Sequence, residues 1–258
     1  MHPFPQAHCC EVGRSYHQTA HLSANSSASL ASAPISRQGP RVRICLSDQE
    51  LELLPEPAIW FPQSRTLLIA DTHFGKSAAF RKQGIPVPEG ELGADLDRIH
   101  TLSDKYDPSR IIVAGDFLHS RFGITDSLTV EIQTLLEKLP CPIEIATGNH
   151  DRRAGELSLS RLTYQPELDV EGLSIIHDPA DFRAGASGIA GHLHPVILLR
   201  TGKRSKIRVP CFWLREGRQL ILPSFGSFTG GHPIAPLPND RVFAVMRDKV
   251  AEIPAKVW

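Results

Sequence analysis

Aspartate, asparagine and histidine residues recur directly after short apolar runs in the middle of this 258-residue chain. The segments are Asp71-Thr-His73, Gly115-Asp116-Phe-Leu-His119, Gly148-Asn149-His150-Asp151, His177 and Gly191-His192-Leu-His194. Carboxylate oxygens and imidazole nitrogens without thiolates suit divalent ions such as Mn²⁺, Fe²⁺ or Zn²⁺. Open α/β sheets form their sites beyond the carboxyl ends of strands, so these side chains are expected to converge on one metal centre.

The elements that must position these side chains are short strands and two amphipathic helices. Strands are predicted at 41–46, 66–70, 111–114, 143–146, 173–176, 196–199, 212–214, 219–222 and 242–246. Apolar residues at helical spacing predict one helix from Leu92 to Leu102 and another from Leu128 to Leu139. The first lies behind Pro88 and the second follows a Thr125-Asp126 cap. Strands and helices alternate in the first half and strands dominate the second, which indicates an α/β layered domain.

Composition limits the class of protein. Hydrophobic residues make up 41% and charged residues 22%, as in soluble globular proteins. No apolar run approaches the ~18 residues that span a bilayer, which argues against a membrane protein. Residues 1–40 are rich in serine and poor in apolar side chains, so we expect a disordered tail before one domain at 41–258. The five cysteines lack C-x-x-C spacing, which fits a reducing, cytoplasmic location.

The order D-x-H, G-D-x-x-H, G-N-H-D, H, G-H-x-H resembles that of the calcineurin-like metallophosphoesterases between Asp71 and His194. The resemblance implies a four-layer α-β-β-α sandwich and two divalent metal ions bridged by a hydroxide. The implied ligands of one ion are Asp71, His73, Asp116 and His194, and those of the other are Asp116, Asn149, His177 and His192. Ser120 stands where some members have arginine, so no arginine role carries over to that position.

Two further stretches of sequence resemble one particular branch of this family. Residues 71–88 and 222–231 look like the ligase-associated, PdeM-like branch of DNA-damage-response endonucleases. That branch implies a bacterial, Mn²⁺-dependent phosphodiesterase that cuts DNA in repair, with single strands as the favoured substrate. It also implies a homodimer and functional links to a DNA ligase and a DEXH-box helicase.

Two residues beyond the ligands are expected to serve the chemistry. The bridging hydroxide would attack phosphorus in line, and His150 would protonate the leaving oxygen as general acid, with Asp151 orienting its ring. The alternative is that His150 only supports the Asn149 loop. His119 has three open roles, namely supporting the site, contacting phosphate or capping the turn.

The formal net charge is zero, so contact with DNA requires local cations. Lys76, Arg81 and Lys82 follow the first metal motif and are expected to contact phosphate. A second basic run consists of Arg200, Lys203, Arg204, Lys206 and Arg208, and is either a solvated hairpin or a nucleic-acid contact. Four phenylalanines, Phe74, Phe80, Phe225 and Phe228, could stack on unpaired bases or pack in the core. His232 is expected to be structural or solvated, with a substrate contact left open.

Two other functions compete with the endonuclease hypothesis. The same metal centre would serve a phosphatase or phosphodiesterase acting on small nucleotides or phosphoproteins. A non-catalytic scaffold of the same fold is the alternative from another class. Scaffolds of this kind lose ligands, whereas every expected metal position is filled in this chain.

Overall fold

Seven strands form the first β-sheet and lie in chain order across it. They are β1 (Val42–Leu46), β2 (Gln49–Leu54), β3 (Ala58–Phe61), β4 (Thr66–Ile69), β5 (Arg110–Val113), β6 (Ile143–Ala146) and β7 (Leu162–Gln165). Strands β1 to β4 pair antiparallel, and β4 to β7 pair parallel. This computed structural model describes residues 41–87, 90–200 and 205–255. The predicted tail, Lys203 and Arg204 lie outside the described residues.

The α-helices lie in the connections between the parallel strands, as parallel pairing requires a crossover. They are α1 (Lys76–Lys82), α2 (Glu91–Tyr106), α3 (Asp126–Lys138) and α4 (Asn149–Ala154). The two predicted helices correspond to α2 and α3, and the Thr125 hydroxyl caps α3 by accepting the Leu128 amide at 3.1 Å. In the described residues no helix is both long and apolar enough to cross a membrane.

The second sheet contains the remaining strands. They are β8 (Leu168–Val170), β9 (Leu173–Ile176), β10 (Gly188–Ala190), β11 (Pro195–Arg200), β12 (Lys206–Arg215), β13 (Gln219–Ile221), β14 (His232–Pro233), β15 (Arg241–Val245) and β16 (Val250–Ile253). The order is β14-β11-β12-β13-β10-β9-β8, with β15 paired to β12 and β16 to β15. Strands β11 and β12 pair antiparallel, so the described part of the basic run belongs to a hairpin.

Apolar residues are buried on both faces of the first sheet. Leu68 and Ile112 point into the core shared with the second sheet, where they meet Phe212 and Phe243. The alternate residues Leu67, Ile69, Ile111 and Val113 point the other way, into a core under α2 and α3. Strands buried on both faces read as continuous apolar runs, which is why Thr66–Ile69 was recognisable as a strand.

The α/β fold class with two packed sheets is confirmed. The helices α1 to α4 all precede β7 in the chain. On the outer side of the second sheet, Phe182 packs beside Ile176 and Ala190 at the end of a short 3₁₀ turn, Pro179–Asp181. In the described part of the chain, this side of the second sheet is covered by irregular segments, namely this turn and the chain at Ile234.

Candidate metal centre

The five chemistry-bearing segments meet beyond the ends of strands from both sheets. Asp71 and His73 follow β4, and His194 precedes β11. The His194 Nε2 atom lies 3.3 Å from Asp71 Oδ1 and 3.4 Å from His73 Nε2. One donor atom from each of these three residues lies within 4.8 Å of the others, which is the spacing of a shared cation.

A second group of donors lies beside the first. Its members are Asp116, His177 and His192, and their donor atoms also lie within 4.8 Å of one another. His177 Nε2 is 3.4 Å from Asp116 Oδ1 and 3.0 Å from both His192 Nδ1 and the Asn149 side-chain oxygen. Imidazole nitrogens that converge in this way present lone pairs to a common point, as metal ligands do.

Asp116 connects the two groups. Its Oδ1 faces His177 at 3.4 Å, and its Oδ2 faces His73 Nε2 at 3.8 Å. The Asp116 side chain is almost fully buried, so both oxygens are held between the two sets of imidazoles. A carboxylate in this position could contact two ions at once.

The backbone of the site adopts an uncommon conformation. Asp71, His73, Asp116, His192 and His194 have φ angles of 55°, 48°, 50°, 68° and 44°. Residues with a Cβ rarely occupy this left-handed region, and each instance costs about 1–3 kcal/mol. The loops are locked together because the Asp71 amide donates to the Gly115 carbonyl at 3.0 Å and the His73 amide to the Asp116 carbonyl at 2.9 Å.

At two positions of the motifs glycine is required, because the side chain of a metal-binding candidate lies directly against the backbone. A Cβ on Gly115 would lie 2.2 Å from His177 Nδ1, and one on Gly148 would lie 2.2 Å from Asp116 Oδ1. Non-bonded heavy atoms do not come this close, so no side chain fits at either position. The two glycines leave the space that His177 and Asp116 fill.

The charge distribution of the site favours the binding of a cation. Burial, followed by the charge of Asp71, raises the pKa of Asp116 to about 8. Burial likewise lowers the pKa of His73 to about 2, which keeps that imidazole neutral and its lone pair available. Buried carboxylates crowded together with a neutral imidazole donor therefore fit divalent cations.

His150 sits beside this centre with one ring nitrogen already engaged. Its Nδ1 lies 2.6 Å from the carbonyl oxygen of His119, so Nδ1–H donates and Nε2 is left for other partners. The His150 ring stacks on the His119 ring with centroids 5.0 Å apart. The His150 amide donates to Asp116 Oδ1 at 2.9 Å, which ties this residue to the shared carboxylate.

The contact expected between Asp151 and the His150 ring is replaced by another arrangement. Asp151 is fully buried, and its oxygens accept the amides of Leu118 at 2.8 Å and Gly148 at 2.9 Å. The carbonyl of His119 orients the ring instead. Asp151 supports the backbone of the two motif loops, because a buried carboxylate needs donors and these amides lie nearest.

A cleft of about 260 Å³ opens over the donors. Its lining consists of His73, Lys76, Asp116, His119, Asn149, His150, His192, His194, Gly230 and His232. His119 therefore belongs to the cleft, and burial lowers its pKa to about 4. Lys76 also lines an adjacent cleft of about 630 Å³, together with Arg81. Lys82 is not among the described residues of either cleft, and its Nζ lies 5.9 Å from the Phe122 ring centroid.

Residues 222–232 run along the ligands, which the sequence indicated only through the family resemblance. The Phe225 amide donates to the Ala70 carbonyl at 2.8 Å, directly before the first ligand. His194 Nδ1 lies 3.1 Å from the Gly230 carbonyl, and the His232 amide donates to the His194 carbonyl at 2.9 Å. This segment therefore fixes the orientation of one imidazole and brings His232 to the edge of the cleft.

Asp178 was not among the expected site residues. Its Oδ2 lies 3.7 Å from His192 Nε2, on the side of the ring away from His177. The Asp178 carboxylate therefore adds negative charge close behind the His192 imidazole. The position of Asp178 directly after His177 was the available signal, although an aspartate after a strand is equally common as a turn residue.

Comparison with known proteins agrees with this geometry. The model of the calcineurin-like phosphoesterase family matches residues 64–204, which contain all seven expected ligands. The chain belongs to the calcineurin-like phosphoesterase family. It is a metal-dependent phosphoesterase by that membership, and the residue pattern and the fold lead to the same conclusion.

Solved structures extend the comparison. The crystal structure of the Pseudomonas putida nuclease MPE matches with a TM-score of 0.69 and 31% identity, covering 83% of this chain and 100% of that one. The Escherichia coli phosphoesterase Yfce matches at a TM-score of 0.37 and 13% identity, covering 73% and 97%, a likeness too low to bear on the site. Among curated proteins no match to this chain is found. The match to the nuclease is consistent with the PdeM-like branch.

Gly148→Ala is expected to weaken metal binding by tenfold to roughly one hundredfold, because the added methyl group displaces the Asp116 carboxylate. Gly93→Ala is the matched control, since a Cβ at Gly93 meets no atom within 4 Å. The measurement is the Mn²⁺ dissociation constant of each variant after removal of metal with chelator. Equal affinities for the two variants would contradict the steric role of Gly148.

Metal affinity should rise with pH in the stripped protein. The raised pKa of Asp116, about 8, means that the proton is bound below this pH and must be released for a cation to bind. The range from about pH 7 to pH 8.5 is informative, because burial lowers the pKa values of His73, His119 and His177, which are already neutral there. Although burial acts to lower it, the pKa of His194 is raised by its hydrogen bond to Asp71, so a proton released from His194 changes the affinity in the same direction. Calorimetric titration in buffers of different protonation enthalpy gives both the affinity and the protons released. A flat affinity over this range would argue against a protonated Asp116.

Proposed function

We propose that this chain is a dinuclear-metal phosphodiesterase that acts as an endonuclease on DNA, with single strands as the preferred substrate. The observation that carries the proposal is the position of Asp116, which faces one group of donors with each of its oxygens. We assign Asp71, His73, Asp116 and His194 to one ion and Asp116, Asn149, His177 and His192 to the other. Two Mn²⁺ ions held there would supply the hydrolytic nucleophile and neutralise charge on the phosphate.

The protein's own residues would handle the proton. In the protonated imidazole of His150, Nδ1–H remains on the His119 carbonyl and Nε2–H is the proton that can be given to the leaving oxygen. The ring cannot rotate freely, because His119 stacks on it and the His73 ring lies edge-on with centroids 4.9 Å apart. His150 is therefore proposed as the general acid, with Asp151 as a positioning residue that acts through the loop.

The substrate assignment depends on the neighbours of the cleft. Lys76 lies in the metal cleft, and Arg81 lies five residues further along α1, in the adjacent cleft. Cations that continue from a metal centre suit the backbone of a polymer better than a single phosphate. The Pseudomonas putida protein of similar structure is described as a nuclease. Both points favour DNA over the alternative of a small phosphodiester or a phosphoprotein.

The biological setting is proposed from the resemblance of residues 71–88 and 222–231 to the PdeM-like branch. It comprises DNA repair in the bacterial cytoplasm, a functional link to a DNA ligase and a DEXH-box helicase, and a homodimer. The scaffold alternative is disfavoured because all seven donors are present and lie within contact distance of a partner donor.

The proposed function is tested by comparing single-stranded DNA, duplex DNA and a bis-nitrophenyl phosphodiester with Mn²⁺. Wild type should cut single strands internally, and Asp116→Ala should lose activity on all three substrates because both ions lose a ligand. Hydrolysis of the small diester with DNA left intact would transfer the activity to nucleotides or phosphoproteins. Retention of metal-dependent turnover by the variant would overturn the shared-ligand assignment.

His150→Ala should separate the substrates by the quality of their leaving groups. A DNA alkoxide needs a proton, so DNA cleavage should fall by ~10²–10⁴-fold. Nitrophenolate leaves without one, so hydrolysis of the nitrophenyl diester should change little. The ratio of kcat values on the two substrates is the readout. Parallel losses on both would assign His150 to support of the Asn149 loop.

Two adjacent basic residues of α1 provide a matched pair. Arg81→Ala should weaken single-strand binding and reduce the slope of log K against log salt by about 0.7, since one phosphate contact is lost. Lys82→Ala should leave the slope closer to that of wild type, because Lys82 is directed toward Phe122. Fluorescence anisotropy over a series of salt concentrations measures both. Identical slopes for wild type and Arg81→Ala would remove Arg81 from the DNA contact.

A further inference from the structure

Two phenylalanines flank Lys76 at the rim of the metal cleft. Phe80 is on α1 and Phe228 is in the loop between β13 and β14; their rings meet edge to face with centroids 5.8 Å apart. Lys76 Nζ lies 6.0 Å from the centroid of Phe80 and 5.8 Å from that of Phe228. Both rings are half-buried, whereas Phe74 and Phe225 are 2% and 1% exposed and belong to the core.

This pair of rings stands where the two clefts meet. The Phe80 ring centroid is 5.9 Å from that of His119, which lines the metal cleft. Phe228 lines the adjacent cleft of about 630 Å³, which shares His73 and Lys76 with the metal cleft. A group bound beside these rings would therefore lie directly next to the phosphate held by the ions.

Both rings are carried by backbone that is attached to the metal ligands. The Lys76 amide donates to the His73 carbonyl at 3.1 Å at the start of α1. On the other side, the Gly226 amide donates to the Asp71 carbonyl at 3.2 Å, and the Ser227 amide donates to Asp95 Oδ2 at 2.9 Å. The rings thus keep a fixed position relative to the site of chemistry, which is a requirement for a preorganised subsite.

The charges of the larger cleft indicate what kind of group it accepts. Its charged lining residues are two cations, Lys76 and Arg81, and three carboxylates, Glu91, Asp95 and Glu131. This mixed charge does not favour filling the cleft with anionic groups, beyond the backbone phosphates that Lys76 and Arg81 can contact. An uncharged planar group can enter, with its π-face against the rings and its phosphate left beside the lysine.

We propose that Phe80, Phe228 and Lys76 form a base-binding platform for the nucleobase adjacent to the scissile phosphate. The proposal rests on the proposed function and adds a determinant of its substrate class, a nucleotide with an unpaired base. Stacking on aromatic side chains accepts any base and requires that the base be free of a duplex. The base-binding platform would therefore select single strands over duplexes, and nucleoside diesters over simple alkyl diesters.

The test is equilibrium binding of two labelled single strands of equal length and charge. One strand is made of thymidine nucleotides and the other of abasic deoxyribose phosphates. Anisotropy is measured with Ca²⁺ as the divalent ion, and strand integrity is checked on a gel. Wild type should bind the thymidine strand on the order of tenfold to one hundredfold more tightly. Phe228→Leu, which keeps apolar bulk but has no π-face, should abolish this preference, and Phe228→Tyr should retain it.

Phe122→Ala is the matched control. Phe122 is 46% exposed and has Lys82 over its ring, and among the described residues its ring is not paired with Phe228, His119 or Lys76, so its removal should leave the preference intact. Phe80→Leu repeats the test on the second ring if Phe228→Leu proves unfolded by circular dichroism. Preference retained by the leucine variants, or absent from wild type, would overturn the base-binding platform.

The ratio of binding affinities tests the base-binding platform, and the cleavage assay tests the proposed function separately. A protein that hydrolyses phosphodiesters but shows no preference for bases lacks the platform and keeps the proposed activity. A protein that shows the preference but cuts nothing has the platform and lacks the proposed activity. Each proposal can therefore be rejected while the other stands.

Discussion

The placement of two carboxylates, Asp71 and Asp116, in one buried space is the constraint on which the rest of the site depends. Ionisation of Asp116 is costly there without a counter-charge, and its raised pKa expresses that cost. Burial lowers the pKa values of His73 and His177, so these imidazoles are neutral donors and offer no positive charge of their own. Divalent cations would satisfy the carboxylates and the imidazole lone pairs together, so the donor set makes chemical sense as a unit.

The backbone conformation of the metal-binding candidates follows from the same constraint. For Asp116 to face both groups, the backbone after β5 turns into the left-handed region, and so does the backbone at four other ligands. Such turns are unfavourable, and they persist because the loops are tied to one another through main-chain hydrogen bonds. Behind them stand strands that are buried on both faces, in one core between the sheets and a second under α2 and α3. The rigid layers offset the strain of the loops.

Much of this arrangement could be predicted from the sequence. Long helices such as α2 and α3 carry several turns of apolar periodicity, and buried strands such as β4 read as apolar runs. The short helices α1 and α4 were not predicted, because seven and six residues show too little periodicity. They nevertheless carry Lys76, Arg81, His150 and Asp151.

The exact partners were harder to predict than the ligands. Asp151 was expected at the ring of its neighbour and instead accepts two main-chain amides, which depends on how two distant loops meet. The different directions of Arg81 and Lys82 likewise follow from α1, whose existence had to be known first. Sequence order shows which residues share a site, whereas their individual contacts depend on tertiary packing.

The path of residues 222–232 along the ligands bears on how the protein matures. A chain still being synthesised, with only its first sheet complete, contains Asp71, His73, Asp116 and Asn149. It lacks His177, His192 and His194, so neither donor group is whole, and the segment that fixes His194 comes later still. Contacts between residues so far apart in sequence form late in folding. The centre is therefore assembled only after the residues up to 232 have left the ribosome, and a shorter growing chain does not carry the complete hydrolytic site.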